Sequence, residues 1–194
     1  MPLTLSPLSL SETLSFIRIR SLAYYGPTHD VLHNGPIRES SILAVAEDRK
    51  RELAKPNMWH WKIVDTELPP SADDPPETNG RIIAVAAWSI VNSPKPSSQE
   101  NPAVDSMPPY RPPELRLDAV ASLFGPLRAA QESIMGTQTP YFMLNTLATH
   151  PEHQGRGAAR MLLDWGLGKA DREGLVTYLD ATGVGRPVYE KRGF

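Results

Sequence analysis

The stretch 151–160, PEHQGRGAAR, sets two glycines one residue apart directly ahead of an amphipathic run. Such residues can hold an anion, because the first N–H groups of a helix lack intrahelical partners and its dipole favours negative charge. Glycine lets the anion approach the backbone closely. The pattern alone does not select the anion: no Lys-Ser or Lys-Thr pair follows as in a Walker loop, and GxGxxG is absent. Read alone, it is equally a glycine-relaxed helix start. Three titratable groups stand in the same turn, His150, Glu152 and His153. They are candidates for a general base, although a turn histidine is more often solvated than catalytic. The two histidines do not suggest a metal, since Pro151 between them argues against a helical ligand face and no further ligand cluster is apparent.

The elements that must position these residues follow from periodicity. YFMLNTLAT at 141–149 reads as a strand, Ala158 to Glu173 as a helix with Ala158, Met161, Leu162 and Trp165 at helical spacing, and Gly174 as its stop. LVTYLDA at 175–181 reads as another strand, followed by a short helix entered at Pro187. Upstream, MWHWKIVD at 58–65 and RIIAVAAWSIV at 81–91 read as a hairpin, the second as a central strand. Helices are expected over about 11–25, with Ser11 as N-cap and Leu14, Ile17 and Leu22 on one face, over about 40–54, and over 114–135, broken or kinked at Gly125 and Pro126.

Of 20 prolines, four fall in 65–80 and seven in 92–113, two stretches without hydrophobic periodicity. Both read as exposed, mobile loop insertions, with the acidic run of the first as a solvated face. Trp59, Trp61, Trp88 and Trp165 read as packing residues. The 194 residues and 40% hydrophobic content suit one domain, 1–194, with its own core. A formal net charge of −2 lacks the basic excess that nucleic acid or anionic lipid would require. With no cysteine, disulfides and thiolate chemistry are excluded. The N-terminus has no basic n-region, and the longest apolar run, 82–88, is too short to span a bilayer. A soluble, intracellular, cytoplasmic protein is expected, with the nucleus left open.

Two segments together narrow the chemistry. LATHPEHQGRGAARMLL resembles the pyrophosphate-binding segment of the GNAT superfamily of acyl-CoA N-acetyltransferases, with Gln154, Gly155, Arg156, Gly157, Ala158 and Ala159 at its signature positions. Leu147, Ala148, Thr149, His150 and Pro151 match the strand ending that precedes it. VYEKRGF at 188–194 is similar to the family's second conserved segment, at the expected distance and in the expected order. The likeness is clear from about 141 to 194, and the proline-rich insertions are similar to those of filamentous-fungal members of unassigned substrate.

The resemblance implies an α/β (α+β) fold, a mixed and mostly antiparallel sheet flanked by helices. It implies acetyl-CoA as co-substrate and a primary amine as acceptor. The main-chain N–H groups of Gln154 to Ala159 would hold the pyrophosphate, with the Arg156 side chain as a further donor. Main-chain groups of Leu147, Ala148 and Thr149 would pair with pantetheine, and a strand N–H exposed where two strands splay would face the thioester oxyanion. Tyr189 matches the family tyrosine that protonates the departing thiolate, a phenol being protonated at neutral pH and near a thiol in pKa.

This chain departs from the family at Thr182 and Gly185, where asparagine and alanine are common. Thr182 retains a hydroxyl for a pantetheine amide. The sequence ends at Phe194, where family members continue with two more strands, so the sheet is expected to lack its last two strands and to expose an edge open to pairing. The alternative function is a non-catalytic or impaired CoA-binding or interaction module of the same fold.

Overall fold

The structure, a computed structural model, describes residues 2–93 and 108–194, so most of the second proline-rich stretch lies outside the described residues. Five strands form one sheet in the order of the chain: β1 (Leu3–Pro7), β2 (Met58–Asp65), β3 (Arg81–Val91), β4 (Tyr141–Thr149) and β5 (Thr177–Leu179). The first four pair antiparallel, and β5 joins β4 in parallel. The expected hairpin is β2 and β3. The mixed α+β class is as expected, but the two-strand deficit inferred from the sequence is not something this five-stranded sheet displays. β5 does stand at the edge of the sheet.

Six helices surround the sheet among the described residues: α1 (Thr13–Ala23), α2 (Pro27–Leu32), α3 (Glu39–Leu53), α4 (Leu117–Met135), α5 (Ala158–Glu173) and α6 (Arg186–Glu190). Alternation along β3, reset by a bulge at Ile83, sends Ile82, Val85 and Ala87 to a core with Phe16, Ile17 and Ile19 of α1 and Ile42 and Ala46 of α3. Ala84, Ala86 and Trp88 go to a second core under α5, with Phe142, Leu144, Leu162 and Leu163. β3 is therefore covered on both faces, which is why it reads as a continuous apolar run. All four tryptophans pack in the second core, Trp88 stacked on Phe142 at 4.9 Å and Trp61 against Trp165 at 4.5 Å.

Several expectations are corrected. Leu3–Pro7, not anticipated as a strand, places Leu3 and Leu5 on the second core, and Pro7 sits at the end of an edge strand where its missing N–H costs no ladder bond. Ser9, not Ser11, is the capping residue here: it caps a 3₁₀ turn (Leu10–Glu12) that runs into α1 and is reciprocally bonded with Glu12, and Leu22 is exposed while Phe16 and Ile19 are buried. α4 continues through Pro126, on a stretch open to water where the freed Ser122 carbonyl can be hydrated, and begins three residues later than expected. The displaced Glu114 is instead buried against Arg38 and the Ser41 hydroxyl (2.9 Å), and the Arg38 guanidinium holds its carboxyl down to about 2.

The first proline-rich segment is also not the free, solvated loop expected. Asp73 receives the Arg18 guanidinium at 2.9 Å. Asp74 is buried and accepts the Ser15 hydroxyl at 2.8 Å and the Ser71 N–H at 2.7 Å. These carboxylates fasten the loop to α1. Gly80 closes it at φ 118°, where a Cβ would meet the Asp65 carbonyl oxygen at 2.3 Å.

Candidate active site

β4 and β5 part company almost as soon as they meet. Their register runs Phe142 to Thr177, Met143 to Tyr178 and Leu144 to Leu179, and stops. On the other side of β4 the register with β3 slips between Thr146, opposite Ala87, and Leu144, opposite Trp88, so that Asn145 is an extra, bulged residue. Below the bulge the Phe142 N–H donates toward β5, to the Val176 carbonyl at 2.9 Å. Above it the His150 N–H donates to Ile83 of β3 at 2.8 Å, and alternation then turns the main-chain groups of Leu147 and Thr149 away from β3, into the gap that β5 has left. The Leu147 carbonyl accepts the Tyr24 hydroxyl from the end of α1, at 3.2 Å.

The gap leads into the glycine turn. Gly155 and Gly157 have φ of 75° and 86°, the left-handed region, and a Cβ on either would meet nothing within 4 Å. Backbone conformation therefore requires glycine here, and the space before the helix is open. Gly157 is the N-cap of α5, no side chain caps it, and its first turn has no acidic residue, unlike α2, α3 and α4. Its N–H groups and dipole are thus left for an anion. Ala158 is buried against the second core, anchoring the helix start.

The Arg156 side chain takes a course the sequence did not suggest. Its Nη2 donates to Asp65 Oδ2 at 2.5 Å, and Asp65, at the end of β2, is only 1% exposed. Burial alone would raise the Asp65 carboxyl, but Arg156 and the Glu67 N–H outweigh it and hold it below its ordinary value. Arg156 thereby ties the glycine turn to the sheet, and its guanidinium is engaged there.

Tyr189 lies on α6, half-buried against the second core, its ring 6.2 Å from Phe194. Burial, reinforced by the neighbouring Tyr24, pushes its phenol up to about 12. Thr182 serves α6 locally: its Oγ1 accepts the Gly185 N–H at 3.1 Å and its carbonyl the Arg186 N–H at 2.9 Å. Gly185 leaves only 3.3 Å between a would-be Cβ and both Thr182 Oγ1 and Tyr189 Cε2.

The turn residues His150, Glu152 and His153 face the other way. His153 is held below its ordinary pKa first by burial and then by His150, Arg156 and Arg81, groups at the β2–β3 end of the sheet. Although Pro151 prevents an α-helical ligand face, a single 3₁₀ turn, Pro151–His153, brings ligand atoms of all three within 4.8 Å of one another. His150 Nδ1 is already taken by the Glu152 N–H at 3.3 Å, which places its proton on Nε2 and opposes coordination. Sequence reasoning missed Tyr24, Asp65 and Asn145. Only Asn145 carried a signal, a lone amide inside the apolar strand YFMLNTLAT.

A glycine-led helix start fed by a strand with an open edge is matched by a family model, the acetyltransferase (GNAT) family, over residues 119–194, from α4 through α6. Residues 119–194 match the GNAT family. The fold agrees: a predicted acetyltransferase with acetyl-CoA from Clostridium acetobutylicum is 17% identical with a TM-score of 0.55, covering 99% of this chain and 89% of that one. A histone acetyltransferase HPA2 and related acetyltransferase from Corynebacterium glutamicum is 18% identical at TM-score 0.56, with 99% and 83% covered. An aminoglycoside antibiotic 6'-N-acetyltransferase from Acinetobacter baumannii is 13% identical at TM-score 0.53, with 99% and 90% covered. At these identities the likeness shows the GNAT fold and no substrate. No curated protein matches this sequence. Among the described residues no helix is long and apolar enough to cross a membrane.

Proposed function

We propose that residues 1–194 form one GNAT domain that moves an acetyl group from acetyl-CoA to a primary amine by direct transfer. The observation that carries this reading is the continuous path from the free edge of β4, at Leu147 and Thr149, into the uncapped start of α5. Pantetheine, a peptide-like arm, would pair with those main-chain groups, and the pyrophosphate would take the N–H groups from Gln154 to Ala159. The open space at Gly155 and Gly157 supports that fit. Arg156 would contribute its main chain, its guanidinium being held by Asp65.

In the transfer, the neutral amine nitrogen would attack the thioester carbonyl, forming the C–N bond as the C–S bond breaks. A main-chain N–H of β4 in the gap would steady the oxyanion. The departing sulfur takes a proton from the Tyr189 phenol, and the proton lost by the amine restores the phenol, so acetyl-CoA and amine give amide and CoA thiol. With its phenol at about 12, Tyr189 starts protonated but is a weaker acid than free tyrosine, which favours donation late, as charge builds on sulfur.

A non-catalytic CoA-binding module is the second reading. It is favoured by the position of His150, Glu152 and His153 on the β2–β3 side, which leaves no assigned base at the gap. Thermal melting with acetyl-CoA, CoA and ATP, followed by thiol release over an amine panel, separates the readings. Stabilisation by both CoA species with thiol release supports the enzyme, and stabilisation without release supports the module. No stabilisation by either CoA species overturns both.

A further inference from the structure

The point where β4 and β5 separate is flanked by two residues that neither core uses. Leu144 and Leu179 are the last residues in register, so the next on each strand, Asn145 and Asp180, are the first on either side of the opening. Both are exposed, although β4 lies inside the sheet. Asn145 directs its Nδ2 to the Ser89 hydroxyl at 2.9 Å and the Met143 carbonyl at 3.3 Å. These bonds commit the donor end of the amide and present Oδ1 as an acceptor.

Asp180 is positioned in a similar way. Its Oδ1 accepts the Tyr178 hydroxyl at 2.9 Å. Tyr178 meets buried Tyr141 edge-on at 6.3 Å, and Tyr141 is held by Gln131 of α4 at 2.5 Å. Among the described residues no cation pairs with Asp180. Ser89, Met143 and Tyr178 all point to the α1 side of the sheet by strand alternation, so Asn145 and Asp180 share that face.

An opening whose two flanking exposed side chains offer a carboxylate and an amide oxygen complements an ammonium group and repels an anion. We infer that Asn145 and Asp180 receive the acceptor as an alkylammonium, which gives one proton to water to become the neutral nitrogen that attacks, and that the acceptor class is a cationic primary amine with no carboxylate or phosphate beside the reacting nitrogen. This rests on the acetyltransfer reading above. Asp180 binds and orients the amine by charge, and Asn145 fixes its direction.

The test uses the full chain and three probes: an aliphatic diamine, an α-amino acid and a phosphorylated amino sugar. Steady-state thiol release should favour the diamine by at least tenfold in kcat/KM over either anionic amine. Asp180→Asn should raise the diamine KM at least tenfold, leave the KM for acetyl-CoA within twofold, and flatten the salt dependence of the diamine KM. Tyr178→Phe, which leaves the carboxylate but removes its anchor, should have a smaller effect of the same sign. An unchanged diamine KM in Asp180→Asn, or a preference for an anionic amine, overturns the inference. Should no amine release thiol, the same amines are titrated calorimetrically into CoA-saturated protein. Diamine binding that Asp180→Asn abolishes sustains the ammonium site while the enzyme reading fails, and absence of diamine binding overturns the site.

Discussion

The Tyr24 hydroxyl, at the C-terminal end of α1, donates to the Leu147 carbonyl on the open edge of β4 at 3.2 Å. It satisfies a main-chain acceptor that no strand reaches. Tyr24→Phe should cost about 1 kcal/mol of stability, the net worth of one such bond, and lower the melting temperature of the free protein. Acetyl-CoA affinity should not weaken, because the pantetheine arm then finds the carbonyl unshared. Paired melting curves and calorimetric titrations check both parts.

Removing the phenol of Tyr189 leaves the rest of α6 in place. Tyr189→Phe should lower kcat roughly a hundredfold, the usual scale for a lost general acid, with the Kd for acetyl-CoA within twofold. Rapid-quench and equilibrium binding measurements on the same preparation separate the two. An unaltered kcat would reduce Tyr189 to a packing residue of the second core.

Gly157→Ala places a Cβ on a left-handed residue at φ 86°, which costs about 1–2 kcal/mol even where space is open. The expected result is a modest fall in stability together with a larger loss of CoA binding, since relaxing the strain would re-aim the N–H groups at the start of α5. Thermal shift with CoA reads both.

Gly166 on α5 faces the Trp88 ring, and an added Cβ would sit 2.2 Å from its Cζ2. Trp88 is fully buried between Gly166 and Phe142 and has nowhere to withdraw. Gly166→Ala should therefore destabilise by ~1–3 kcal/mol through overpacking, despite the better helix propensity of alanine. Chemical denaturation gives the value.

Acid should unfold the protein in two overlapping stages. Burial holds His60 at about 4 against an ordinary 6.5, so between those values the unfolded chain binds a proton that the folded chain refuses, and stability falls as pH drops from 6.5 to 4. Glu114 has the opposite charge with the same outcome: its contribution is whole above 4.5 and is lost as pH falls toward about 2. His60→Leu should flatten the upper stage and Glu114→Gln the lower, in melting temperature measured against pH.

Much of this architecture was legible because periodicity and caps carry it. RIIAVAAWSIV announces a strand covered on both faces, and α5 was found to the residue by its spacing and by Gly174, whose φ of 64° closes it. The glycine turn and Tyr189 were legible as pattern, but their spatial relation was not. Arg156 looked like a free donor because its partner, Asp65, lies 91 residues away, and no local signal records so distant a pair. The proline-rich segment misled for a related reason. Its composition is that of a solvated loop, but two of its carboxylates meet Arg18 and Ser15 on α1, contacts that exist only once the sheet has brought them together. β1 was missed because prolines and serines mask an alternation only two leucines deep.

The bulge at Asn145 makes the open edge of β4 a matter of parity. Below it, even-numbered residues of β4 turn their main chain toward β5, and above it odd-numbered ones do. Any side chain at 145 preserves that switch, whereas the same residues paired without the bulge would exchange the two edges above it, turning Ala148 outward and closing Leu147 and Thr149 against β3. The open edge thus depends on where the pairing slips more than on which side chain stands at the slip, so substitution at 145 should leave Leu147 and Thr149 facing the gap.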